Sequence, residues 1–121
     1  MTDVSPTIRS SDADATIGFL RDAFGFVEGG VFRGEDGAVA HAELWYGDGV
    51  VMFGGPTSAQ QPAASVYVVV EDPDAHHDRA KAAGAEITMP LTDQGYGSRD
   101  YAAKDPDGNT WFFGTYRPQR P

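Results

Sequence analysis

Apolar and polar positions along the chain follow one succession of periods, and that succession is written twice. "SPTIRS" at 5–10 and "SVYVVV" at 65–70 are β-branched and apolar enough for strands. Each is followed by an aspartate, Asp12 or Asp72, placed to cap a helix. In the second copy Pro73 takes the first helical position, where a missing N–H costs nothing. The first helix carries Ile17, Leu20 and Phe24 on one face and stops near Gly25; the second carries Ala80 and Ala83 and stops near Gly84. About three strands follow each helix, and the last two are joined by a tight turn, "YGDG" at 46–49 or "DPDGN" at 105–109. The expected unit is β-α-β-β-β, twice.

The two units share residues at a fixed offset of sixty: Ser5 with Ser65, Asp12 with Asp72, Asp14 with Asp74, Ala42 with Ala102, and Phe53-Gly54 with Phe113-Gly114. One domain over 1–121 is expected, with module one at 4–55, a linker at 56–63 rich in Pro, Ser and Gln, and module two at 64–117. The end from Tyr116 reads as an extended, frayed tail.

Composition narrows the partners. Nine Lys and Arg against eighteen Asp and Glu give a net charge of -9, with no basic stripe, so nucleic acid is not an expected partner. The acidic field serves solubility, and it would also draw in a small cationic ligand. The longest apolar runs are strand-sized and the N-terminus has neither a basic start nor an apolar core, so no membrane span and a cytoplasmic setting are expected. Without cysteine, thiol catalysis and disulfides are excluded.

A tandem βαβββ repeat ending in "DPDGNTWFFG" at 105–114, preceded by "AAGAEI" at 82–87 and opened by "SDADATIGFLRDAFGF" at 11–26, resembles the vicinal oxygen chelate superfamily of glyoxalase, bleomycin-resistance and dioxygenase proteins. The resemblance implies an α+β fold whose two modules curl into a half-open barrel around a cavity, commonly completed by a homodimer. It also implies four metal-ligand positions, one on the first and one on the last strand of each module, which fall here on Ser5, Met52, Ser65 and Phe112. A serine hydroxyl, a thioether and a phenyl ring are poor ligands for the hard or borderline ions these enzymes use. No metal and no other cofactor is therefore expected, and glyoxalase or dioxygenase chemistry is disfavoured.

Strand alternation puts Thr7 and Arg9 with Ser5, Tyr67 with Ser65, and Thr110 with Phe112, while Met52 shares its face with Val50. The expected ligand-binding set is Thr7, Arg9, Met52, Ser65, Tyr67 and Phe112, with Trp45 in the matching hairpin and Tyr96 and Arg99 on the Gly-rich loop at 94–100 as a rim. Each of these could equally fill a barrel interior. Trp111 and Phe113, on the opposite face, are expected beneath a helix.

His41 and Glu43 share a strand face and could serve as base and orienter, although a solvated face explains them as well. His77 matches Ile17 and reads as a packed histidine, and Asp105, Asp107 and Asn109 as hairpin residues rather than calcium ligands. The reading preferred is a protein that sequesters an aromatic or cationic antibiotic of bleomycin or mitomycin type without chemistry. The alternative is a lyase, isomerase or dioxygenase with an unusual metal or none.

Overall fold

The computed structural model describes residues 3–121. Its elements are α1 (Ala13–Phe24), β1 (Val27–Arg33), β2 (Val39–Tyr46), β3 (Gly49–Phe53), β4 (Ser65–Val69), α2 (Pro73–Ala82), β5 (Glu86–Asp93), β6 (Arg99–Lys104) and β7 (Thr110–Gly114). They make an α+β fold of two open sheets, ordered β1-β2-β3 and β4-β7-β6-β5, with two helices. The sheets are antiparallel except for the β4–β7 pair, in which Ser65 lies beside Thr110 and Tyr67 beside Phe112.

The helix boundaries follow from their end residues. Asp12 accepts the Ala15 N–H at 3.2 Å and Asp72 accepts the Ala75 N–H at 3.1 Å, so each aspartate satisfies one donor that its helix leaves open. Helix α1 closes at Gly25, whose φ of 78° suits a residue without Cβ.

The opening strand of module one is where the structure departs from the repeat. It contributes a single bridge, Thr7 beside Met52, through Ile8 N–H to the Met52 carbonyl and Met52 N–H to the Pro6 carbonyl, both at 3.0 Å. Pro6 has no N–H with which to extend the ladder. Beyond Ile8 the Arg9 backbone turns to the Asn109 side chain instead, its N–H at 3.2 Å from Oδ1 and its carbonyl at 2.8 Å from Nδ2.

That side chain is fully buried and also accepts the Ala64 N–H at 2.8 Å and donates to Asp105 Oδ2 at 2.9 Å. The "DPDGN" turn is thus a knot joining the N-terminal segment, the end of the linker and β7. Asp105 completes it by accepting the Trp111 indole N–H at 2.9 Å and the backbone N–H groups of Asp107 and Asn109 at 3.0 Å.

Between the sheets and helices lies one aromatic cluster drawn from both modules. Phe24 of α1 packs against Trp111 and Phe113 of β7, with ring centroids 5.5 and 4.7 Å away, and all three are fully buried. Trp111 and Phe113 therefore do lie on the helix side of their sheet. Helix α2 locks onto the end of α1: Arg79 donates to the carbonyls of Asp22 and Arg21 at 3.0 and 2.9 Å, and His76 reaches the Phe24 carbonyl at 2.8 Å. These are carbonyls that a helix leaves without partners in its last turn, and a cation there also suits the helix dipole.

Candidate functional site

A cleft of about 760 Å³ opens between the modules. One wall is β4 from Val66 to Val69; the other is Pro6 with Val50 of β3. Phe26 and Tyr46, ring centroids 5.4 Å apart, line its inner part beside His76. Asp48, Glu71 and Asp72 bring acid to its rim, against Arg79 and Arg117. Three carboxylates against two guanidinium groups leave the rim net negative, so it favours a cation over an anion.

The expected binding residues divide around this cleft. Tyr67 lines it. Its hydroxyl donates to the Tyr116 carbonyl at 2.7 Å, and burial pushes the phenol above its ordinary pKa, so the group remains a neutral donor. Met52 lies beside Glu43 on the open face of the first sheet, with Trp45 two residues along and Thr7 bridged to Met52. The Trp45 indole packs against Gly29 of β1, where a Cβ would come within 2.6 Å of the indole nitrogen, which explains the glycine. Ser65 and Phe112 share the open face of the second sheet with Tyr67. None of these five lines the cleft, because alternation assigns residues to faces while the cleft lies along a sheet edge.

Arg9 is exposed and held by its backbone, outside the cleft. Arg99 faces away as well: its guanidinium pairs with Asp74 of α2 at 2.7 Å and Asp93 at 3.1 Å, which holds Asp74 below the usual carboxylate range. Tyr96 stands over the second sheet, donating to Asp100 at 3.2 Å and meeting the Tyr116 ring edge-on at 5.5 Å. Asp100 is buried and also accepts the Ser98 hydroxyl. A Cβ on Gly114 would come within 2.0 Å of Asp100 Oδ1, so the final glycine of β7 makes room for that carboxylate. Tyr116 itself is tied at both ends of its peptide, N–H to Ser98 Oγ at 3.0 Å and carbonyl to Tyr67, so the tail is anchored at its first residue rather than frayed.

His41 and Glu43 do meet, Nε2 to Oε2 at 3.0 Å, with side chains 40% and 32% exposed. They stand on the open face of the first sheet beside Phe32, not in the cleft.

At the four positions that the resemblance assigns to a metal, the side chains offer two hydroxyls, a thioether and a phenyl ring. That donor set does not fit a hard or borderline divalent ion. Among the described residues no three His, Asp or Glu side chains gather as a metal would require.

Sequence reasoning passed over His76. Its Nε2–H donates to the Phe24 carbonyl, which leaves Nδ1 to accept the Tyr101 hydroxyl at 2.5 Å. The available signal was its spacing of three from Arg79, two polar side chains on one helix face directed at the end of α1. Burial, helped by the nearby Arg79 charge, lowers the His76 pKa below its ordinary 6.5. Between that lowered value and 6.5 the unfolded chain binds more protons than the native one, so stability falls as the pH drops through this window. Thermal melts at pH 7 and pH 5.5 should show a loss that His76→Gln abolishes, since glutamine keeps a donor and an acceptor without titrating. Equal losses in both proteins would assign the effect to other groups.

The Glyoxalase/Bleomycin resistance protein/Dioxygenase superfamily model matches residues 4–113. An uncharacterised protein of Mycobacterium tuberculosis is 35% identical, the match covering 92% of this chain and 72% of the relative. Among solved structures, TioX from Micromonospora sp. ML1 is 31% identical, with a TM-score of 0.81, covering 97% of this chain and 100% of that one. The bleomycin resistance determinant encoded on the transposon Tn5 shares the fold at 22% identity, with a TM-score of 0.72, covering 98% and 100%.

Proposed function

The chain belongs to the glyoxalase/bleomycin resistance protein/dioxygenase superfamily, and from that premise we propose that it is a small-molecule-binding protein that sequesters an aromatic, cationic antibiotic of bleomycin or mitomycin type without altering it. The observation that carries the reading is the cleft between the modules, with Phe26, Tyr46 and Tyr67 for a planar group and Asp48, Glu71 and Asp72 for a positive one. The misfit of the four metal positions supports it from the other side. The net charge of -9 would speed the capture of a cation at low salt.

Tryptophan fluorescence tests this directly. Trp111 lies behind the cleft, its ring 5.5 Å from Phe26, and Trp45 pairs with Val50 in the cleft wall. Titration with bleomycin, mitomycin C and proflavine should give saturable quenching at one ligand per chain, weakened by salt. A flat response to all three, confirmed by calorimetry, would remove the reading.

A homodimer belongs to the same proposal. Phe32 and Val27, 59% and 66% exposed on the first sheet, give a second copy an apolar surface to cover. Sedimentation equilibrium should return about twice the 12.9 kDa chain mass.

The 3.0 Å contact between His41 and Glu43 favours a second reading, a metal-independent lyase or isomerase on the open sheet face. It would take precedence if turnover of a glyoxalase-type substrate had a bell-shaped pH profile that His41→Ala removes.

A further inference from the structure

The cleft presents an unused strand edge. The β4–β7 ladder runs through the even-numbered residues of β4 and its flanks, as the bonds from Thr110 N–H to the Ala64 carbonyl and from Val70 N–H to the Gly114 carbonyl, both 2.9 Å, define its phase. The backbone N–H and carbonyl groups of Ser65, Tyr67 and Val69 therefore point the other way. β4 is the edge of its sheet, and among the described residues no strand lies beyond it. At the Ser65 end the gap toward the N-terminal segment is closed by Asn109, which holds Arg9 and Ala64 together. Towards Val70 it widens into the cleft, lined by every residue from Val66 to Val70.

Resting on the binding function proposed above, we infer that this edge takes an extended peptide backbone, so that the sequestered compound is peptidic and is held by strand addition as well as by aromatic contact. Exposed edges in stable proteins are usually blunted by charge, proline or a covering loop. This one is Ser-Val-Tyr-Val-Val, with no charge and no proline, and its free groups recur about every 6.8 Å, the repeat of alternate residues in an extended chain. A peptide backbone supplies donors and acceptors at that spacing, which a flat polycyclic cation does not. Val66 and Val68 fill the apolar side of the groove, Tyr67 stands on the other, and Glu71 beyond the end of the strand faces a cationic terminus or side chain.

The test is N-methyl scanning of a capped probe, acetyl-Lys-Val-Tyr-Val-Tyr-amide, measured by tryptophan quenching. N-methylation at alternate amides should weaken binding tenfold or more, and at the amides between them less than twofold, because only alternate N–H groups face the edge. Val69→Pro removes one protein donor whose partner is the ligand alone, a substitution that edge strands tolerate. It should lose the peptide with an unchanged melting temperature, whereas Val69→Ala, which trims the cleft wall but keeps the N–H, should weaken it at least fivefold less than Val69→Pro does. Should Val69→Pro fail to fold, the N-methyl series on the natural chain decides. Methylation effects that do not alternate, or no peptide binding up to millimolar concentration, would overturn the inference, and the latter in a dimeric protein would give the edge to a second copy. Proflavine separates the two levels: if it binds and the peptide does not, the sequestering function stands without strand addition, and if neither binds, both fall.

Discussion

Replacing Asn109 by alanine is expected to destabilise the fold by about 3 kcal/mol, a shift of roughly a hundredfold or more in the folding equilibrium. The amide uses its whole capacity: two backbone N–H groups, Arg9 and Ala64, donate to its oxygen, and its nitrogen donates to the Arg9 carbonyl and to Asp105. Alanine leaves the Arg9 and Ala64 N–H groups and the Arg9 carbonyl without this partner, at about 1–3 kcal/mol for each that water cannot reach, while Asp105 keeps the Trp111 indole N–H. Arg9 is exposed and Ala64 half-buried, so solvent recovers part of the loss and the sum stays below the simple total. Urea unfolding checks it, through a lower midpoint at constant slope. A loss under about 1 kcal/mol would mean that water substitutes for the amide. Asn109→Asp should cost at least as much, since it removes both donors and sets a second carboxylate against Asp105.

The second large effect concerns binding. Tyr67→Ala is expected to weaken an aromatic ligand about thirtyfold, about 2 kcal/mol, the scale of a central aromatic anchor. Tyr67 stands in the cleft wall with its side chain on the side opposite Trp111 and the core, and it is 38% exposed, so truncation should spare the fold. Tyr67→Phe separates two roles of the ring. It retains the stacking surface but frees the Tyr116 carbonyl, so affinity should hold while the amide of Tyr116, bonded to Ser98, exchanges faster. Equal affinity losses for the two substitutions would move the role from the ring to the hydroxyl.

Much of this architecture is written locally. Asp12 and Asp72 mark helix starts, Gly25 a helix end and "DPDGN" a turn, because each acts on backbone groups within a few residues. The opening strand of module one failed as a sequence reading for a reason no alternation pattern contains: the partner that ends its ladder is Asn109, a hundred residues away from Arg9. The site divides in the same way. Alternation correctly put Tyr67 and Phe112 on one face and Trp111 and Phe113 on the other. It could not place the cleft, which depends on how the edge of β4 stands to Pro6 and Val50. His41 and Glu43 met as spacing allowed, whereas the role of His76 rests on Phe24 and Tyr101, residues distant in sequence.

The caps that α2 lends to α1 bear on whether the two halves of the chain could stand apart. Arg79 and His76 complete a helix end in module one, and Asn109 completes the backbone of Arg9, while module one offers Phe24 to the aromatic cluster beneath β7. The halves have become complementary rather than equivalent. A gene cut at the linker would yield fragments that each lack the other's finishing groups. Co-expressed, they should assemble as a heterodimer of unlike parts, whereas two copies of either half would leave the same carbonyls and rings uncovered. Assembly of the unlike fragments, with neither half stable alone, would show that each half is finished by the other.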